Sequence, residues 1–225
     1  MNVTFPRRFR GPLTSVNGGY AAGRLAAFVA ADAVEVTLRL PPPLGRPLDV
    51  RQGVGSASLL DGDAVVAEAR AAELDVDPPA PVTRAVAEEA AAQHVRIGDP
   101  VFGECFVCGA RPEDDGLGIY AGPVAGREPV YAAPWVASET GQEMVWAAID
   151  CPGAYAVGVA GRGNVVLGRM TAQVHRMPDL AEQCVVVAWP LGEDGRKLFA
   201  GTALFADDGE LLALARQTWI TPRAP

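Results

Sequence analysis

Aromatic residues are scarce, at 7% of the chain, so any core has to be built from aliphatic and small side chains. Positive charge is not in excess: 19 Lys and Arg stand against 27 Asp and Glu, for a formal net charge of −8. Nucleic-acid affinity rests on clustered Lys and Arg, so that balance argues against a nucleic-acid partner. It leaves room for one local basic pocket. No apolar signal core follows Arg7, Arg8 and Arg10. The apolar stretch from Ala21 to Val36 is broken by Arg24, Asp32 and Glu35, so no membrane span is expected. The expectation is a cytoplasmic protein. Its four cysteines then read as thiols rather than a disulfide framework. Histidine is limited to His94 and His175, and no Gly-x-Ser-x-Gly elbow is present. A Ser-His-Asp hydrolase cannot be assembled from that.

What is present is Ala, Val, Leu and Gly. Hydrophobic residues make up 49% of 225 positions, enough for one or two domains. The chain also echoes itself. Asp61-Gly62 opens DGDAVVAEARAAEL, and Asp208-Gly209 opens DGELLALARQTWI. Asp-Gly is a hairpin-turn signal, and each run continues into Ala-x-Ala-Arg, once one residue is gapped after the turn. A second echo pairs Asn17-Gly-Gly-Tyr-Ala-Ala-Gly23 with Pro152-Gly-Ala-Tyr-Ala-Val-Gly158.

Each half reads as one helix ahead of a strand meander. In the first, a strand near 3–5 precedes a helix over 18–31 with Asn17 as N-cap. Strands follow near 33–40, 48–54, 56–60 and 65–74. DVDPPAPVTR reads as a linker, and AVAEEAAAQ as a short helix former. In the second half, strands are expected near 116–121 and 129–133. A helix over 139–150 should stop before Pro152. Strands follow over 164–176, 184–190, 197–206 and 211–220. The implied division is 1–78, a linker over 79–100, and 101–225. A curved sheet wrapped around one apolar helix would bury the apolar faces of both.

Several segments resemble the acyl-CoA thioesterase families with tandem hot-dog domains: VNGGYAAGRLAA with VEVTLRLPPPLGRPLDV, the closing DDGELLALARQTWITPR, and WAAIDCPGAYAVG. GECFVCGARPEDDGLGI is similar to a Cys-Phe-x-Cys-Gly segment of other hot-dog proteins. The resemblance implies an α+β double hot-dog, with two long antiparallel sheets each wrapped around a central helix. It implies a protein that hydrolyses or binds acyl-CoA, with a place in lipid metabolism, and a homodimer is compatible with it. In those families an Asp on the second central helix, a hydroxyl on the next strand and a Gln on the last strand orient the attacking water. Asp150 and Gln217 match the first and last. Leu167 or Gly168 stands where the hydroxyl belongs, which departs from the family's pattern. The alternative function is a non-catalytic hot-dog protein that binds an acyl ligand or scaffolds partners.

The residues themselves support two readings each. Asp150 follows the apolar run Met144–Ile149 at a predicted helix end. The helix dipole and apolar surroundings would both raise its pKa, as suits a general base; otherwise it caps the Cys151-Pro152-Gly153 turn. Gln217 either holds a water from a buried strand position or faces solvent. Asn17, Gly18 and Gly19 either offer N–H groups to a substrate oxygen or simply start and pack a helix. Arg162, Arg169 and Arg176 are candidates for CoA phosphates or plain surface charges. Cys105 and Cys108 form a Cys-x-x-Cys pair. A zinc site needs about four ligands, and Cys151 and Cys184 make no second pair, so neither metal nor other cofactor is expected. Asp-His hydratase chemistry is disfavoured, because no His follows Asp150 closely.

Overall fold

Residues Pro47–Gly53 alternate exposed and buried at their start, whereas Gln183–Asp194 contains five consecutive buried residues, Cys184 to Ala188. The first strand has one face in water, and the second is covered on both. That difference organises the molecule. The computed structural model describes residues 1–96, 100–112 and 115–222. Of the expected linker, 97–99 lie outside the described residues, as do 113–114 and 223–225 of the second half.

The chain runs β1 (Asn2–Thr4), α1 (Gly18–Ala26), β2 (Ala33–Leu38), β3 (Pro47–Gly53), β4 (Ser56–Asp61), β5 (Ala64–Ala71) and α2 (Arg84–Ala91). It continues with β6 (Gly122–Pro123), β7 (Tyr131–Val136), α3 (Gln142–Ala148), α4 (Cys151–Ala156) and α5 (Val159–Arg162). Four long strands close it: β8 (Val166–Val174), β9 (Gln183–Asp194), β10 (Lys197–Ala206) and β11 (Leu211–Ile220). Among the described residues, eleven strands form one sheet in the order β1-β3-β4-β5-β2-β8-β11-β10-β9-β7-β6. Among the described residues every neighbouring pair is antiparallel, including β2 with β8, where Val36 faces Met170.

Two long antiparallel sheets were expected, one from each half, and among the described residues they join into one continuous sheet. The reason lies at the junction. The inner edges of both halves carry buried apolar residues, Val34 and Val36 on β2 and Met170 and Ala172 on β8. Pairing those edges satisfies their backbone groups and removes two exposed strand edges. The order from each outer edge inward is nonetheless the same: β1-β3-β4-β5-β2 on one side and, inside the two-residue β6, β7-β9-β10-β11-β8 on the other. The two Asp-Gly turns occupy matching places, between β4 and β5 and between β10 and β11.

The helices follow the burial pattern. Cys184 and Val186 of β9 join a core shared with α1, α3 and α4. Val185 and Val187 point the other way, into a cluster with Ala87 and Ala90 of α2. The segment read as a linker therefore supplies a helix, N-capped by Thr83, that covers the second face of the sheet.

Three local expectations shift. Helix α1 ends at Ala26 because Phe28 and Val29 donate to Leu25 and Ala26, three residues back, which tightens and closes the last turn. Residues 116–121 form no strand. Leu117 and Ile119 instead donate to the carbonyls of Phe106 and Val107, tying down the Cys105–Cys108 loop. Finally, the helix before Asp150 breaks and restarts. Pro152 has no N–H for a preceding carbonyl, but it is tolerated in the first turn of a new helix, and α4 begins at Cys151.

Candidate functional site

Helices α1 and α3 meet through glycine. A Cβ on Gly19 would lie 2.5 Å from both the Asp150 Cβ and the Trp146 carbonyl oxygen, and one on Gly23 would lie 2.7 Å from the Glu143 Cα. Spaced four apart, these residues share one face of α1, and the missing side chains let the start of α1 touch the junction between α3 and α4.

Asp150 occupies that junction. It is 2% exposed. Its Oδ2 accepts hydrogen bonds from Asn17 Nδ2 at 2.8 Å and from the Gly19 N–H at 3.0 Å. Its Oδ1 is buried with no partner. Burial pushes the Asp150 carboxyl up to about 7, with Cys105 nearby adding to the effect and the Gly19 and Asn17 donors opposing it. Burial, one of the two causes expected from sequence, is the main one.

Asn17 works in two directions. Its Oδ1 accepts from the Tyr20 N–H at 2.9 Å, which caps α1, while its Nδ2 serves Asp150. The capping and site-building readings are thus both present in one side chain. The Gly19 N–H is committed to the carboxylate, so it is not free for a substrate oxygen. Gly18 lines the adjacent cavity.

Gln217 is fully buried on the helix-facing side of β11. Its Nε2 donates to the carbonyls of Ile149 at 2.6 Å and Asp150 at 3.2 Å, and to Thr202 Oγ1 at 3.3 Å. Its Oε1 accepts from Trp219 Nε1 at 2.8 Å. Helix ends leave carbonyls without partners, and this amide takes those at the break between α3 and α4. Gln217 therefore reaches Asp150 through its main chain, not through its carboxylate. Thr202 is the polar residue that sequence reasoning missed. A lone hydroxyl in the apolar run Ala-Gly-Thr-Ala-Leu was the available signal.

A cavity of about 270 Å³ opens beside Asp150, walled by Asn17, Gly18, Leu38, Cys105, Cys108, Cys151, Tyr155, Leu167, Gly168 and Trp219 among others. Most of this wall is apolar. Leu167 and Gly168, where the resemblance places a hydroxyl, form part of it.

Three of the four cysteines also gather here. The Sγ atoms of Cys105, Cys108 and Cys151 all lie within 4.8 Å of one another, and Cys105 and Cys151 are 3.7 Å apart. The expectation of no metal rested on the lack of a second Cys-x-x-Cys. The fold brings Cys151 to the pair across 46 positions, which no local spacing could show. The Cys105 thiol is held well below its usual range, first by the Cys108 thiol and then by that of Cys151, while the hydrogen bond to Cys105 and burial drive Cys108 and Cys151 up. The loop itself is tied down: Phe106 is fully buried, edge-on to Phe9 at 5.0 Å, and its N–H donates to the Arg10 carbonyl.

Of the arginines considered for phosphate, the Arg162 side chain lies outside the described residues, and the other two are otherwise engaged. Arg169 binds Thr37 and pairs with Glu35, and Arg176 is held by Glu182 and Glu210. No described histidine lines the cavity. His94 sits elsewhere, its Nδ1 2.9 Å from the Ala121 carbonyl oxygen.

No family model and no curated protein sequence matches the chain. Solved structures do. A hot-dog protein of unknown function from Alicyclobacillus acidocaldarius matches with a TM-score of 0.64 at 14% identity, covering 100% of this chain and 93% of that one. An acyl-CoA thioesterase II of Mycobacterium marinum gives 0.60 at 13%, covering 100% and 93%. This is the hot-dog fold. The dehydratase domain of a mycocerosic acid synthase-like polyketide synthase also matches, at 0.60 and 14%, covering 99% and 90%. The fold alone therefore does not choose the chemistry. Among the described residues, no helix is long and apolar enough to cross a membrane.

Proposed function

We propose that this protein is an acyl-CoA thioesterase-like hydrolase built from two fused hot-dog units, residues 1–78 and 101–225, acting in the cytoplasm. One observation carries the reading. A buried carboxylate with an unpartnered oxygen stands in the wall of an apolar cavity, anchored by the opposite half of the chain. In this reading the cavity takes the acyl portion and excludes bulk water. Asp150 Oδ1 accepts a hydrogen from the one water that attacks the thioester carbonyl. Asn17 and the Gly19 N–H hold the other oxygen, so the carboxylate cannot turn away. Gln217 fixes the main chain beneath it. The equivalent strand order of the two halves supports the fused-unit division.

The non-catalytic reading draws on one specific feature. Leu167 and Gly168 put apolar surface where a water-holding hydroxyl would help, and the Gln217 amide is engaged by the Ile149 and Asp150 carbonyls and the Trp219 N–H. Thiol release from a panel of acyl-CoAs, wild type beside Asp150→Asn, separates the two. A hydrolase loses about a hundredfold or more in turnover, in line with general-base contributions. A binding protein shows no turnover in either form and retains acyl-CoA affinity.

A further inference from the structure

We propose that Cys105, Cys108 and Cys151 bind one soft divalent metal ion, zinc in the cell, with a fourth coordination position open to the cavity. The inference stands on thiol geometry and shares only the unpartnered Asp150 oxygen with the thioester reading. A tetrahedron with Zn–S bonds of about 2.3 Å has edges of about 3.8 Å. The Cys105 and Cys151 sulfurs are 3.7 Å apart, and all three sulfurs fall within 4.8 Å of one another. Modest side-chain rotation therefore closes the set around an ion. Thiolate sulfur selects zinc-like ions over magnesium or calcium, which take oxygen.

The surroundings are those of a ligand set rather than of inert core thiols. Metal-bound groups are oriented by hydrogen bonds from their neighbours. Asn17 Nδ2 lies 3.9 Å from the Cys105 sulfur and 3.8 Å from the Cys151 sulfur, while donating to Asp150. The ligands are held before any metal arrives. The Cys105–Cys108 loop is tied to Arg10 and to 117–119, and Cys151 opens α4. The second, independent observation is Asp150 Oδ1, buried and without a partner beside the cluster. A water on the open metal position would donate to it. Three protein ligands with an open fourth position is the arrangement of a reactive zinc site, not a closed structural one.

Binding converts three thiol ligands to thiolates. Each ligand still protonated releases one proton, and the ion with three thiolates carries a net charge of −1. Affinity therefore rises with pH.

The test uses the full chain purified under reductant without chelator. Elemental analysis should find about one zinc per chain, the full occupancy expected of a real site. After chelation, cobalt should restore a saturable near-ultraviolet thiolate-to-cobalt band at one equivalent. Cys151→Ser and Cys108→Ser should each weaken cobalt affinity about tenfold or more, while Cys184→Ser leaves it unchanged. The wild-type measurements stand even if a variant fails to fold. Zinc below about a tenth of an equivalent with no cobalt band, or wild-type affinity in Cys151→Ser, overturns the site. So does a disulfide among the three cysteines in reductant-treated protein. Thioester turnover by zinc-free protein that binds no cobalt would remove the metal site and leave the hydrolase reading; metal binding without turnover does the reverse.

Discussion

Asn17 Nδ2 donates to Asp150 Oδ2 at 2.8 Å across 133 positions of sequence, and the same side chain caps the helix it begins. The two roles are separable. Ser caps a helix as well as Asn does, but it has no second arm to reach Asp150. Asn17→Ser should keep most of the stability, whereas Asn17→Ala should lose about 1 kcal/mol from the cap alone. Both should lower thiol release roughly ten- to a hundredfold, because a misplaced reacting group is costly. Chemical denaturation beside acyl-CoA kinetics reads the two effects apart. Equal turnover in wild type and Asn17→Ser would show that the bond does not position the carboxylate.

Gly19 inverts a general rule. In an open helix interior, Gly→Ala stabilises by about 1 kcal/mol. Here the new methyl would meet the Asp150 Cβ and the Trp146 carbonyl at 2.5 Å. Overpacking of that kind costs about 1–3 kcal/mol, so Gly19→Ala should lower the melting temperature and push α1 away from Asp150. Gly23→Ala should act in the same direction through Glu143 and Trp146. A stabilised Gly19→Ala variant would mean that the two helices do not approach this closely.

Much of this architecture was legible along the chain, because the burial of strands leaves a periodic trace. The Asp-Gly turns, the alternation in β3 and the continuous apolar run in β9 all register locally. The site was legible in part. Asp150, Gln217 and Asn17 stand out as polar residues in apolar stretches, and the fold draws them together. What was hidden depends on distant partners. The carbonyls at the helix break beside Asp150 find their donor in Gln217, 67 positions away from it. The three-cysteine cluster is likewise invisible to spacing, since a Cys-x-x-Cys pair says nothing about a thiol in another element. The single sheet depends on β2 meeting β8, and neither strand alone specifies that partner.

Gln217→Ala tests that tie. Removing the amide leaves the carbonyls of Ile149 and Asp150 short of a donor and the Trp219 N–H without its acceptor. Each buried group left unsatisfied costs about 1–3 kcal/mol. Urea unfolding should show a loss of about 2 kcal/mol or more. Turnover should fall less than in Asp150→Asn, because the carboxylate itself remains. An unchanged denaturation midpoint would show that water replaces the amide without cost.

His94 makes stability depend on pH. Burial lowers its pKa from 6.5, the Ala121 carbonyl opposes that, and Arg96 adds to it. The rings of Tyr120 and Tyr155 also face it. With the folded pKa below the unfolded one, the unfolded chain binds the extra proton first as pH drops. The contribution of neutral His94 is therefore present above about pH 6.5 and declines as pH falls from there toward the folded value. His94→Asn should flatten this part of the stability curve between roughly pH 7.5 and 5.5. A curve of wild-type shape in the variant would assign the dependence to other groups.

Leu167 decides between hydrolysis and binding most directly. Its side chain lines the cavity and crowds the position where a Cβ on Gly18 would stand, at 3.0 Å. Leu167 is 8% exposed, so Leu167→Thr removes buried apolar volume and should cost about 1–3 kcal/mol. In exchange it offers a hydroxyl to a water beside Asp150. If positioning of that water limits turnover, thiol release should rise about tenfold, within the range of a well-placed hydrogen-bonding group. The double variant Leu167→Thr with Asp150→Asn should lose the gain, since the hydroxyl acts only on water that the carboxylate activates. Turnover that stays undetectable in Leu167→Thr, with acyl-CoA still bound, would count against Asp150 as a general base and favour the binding protein.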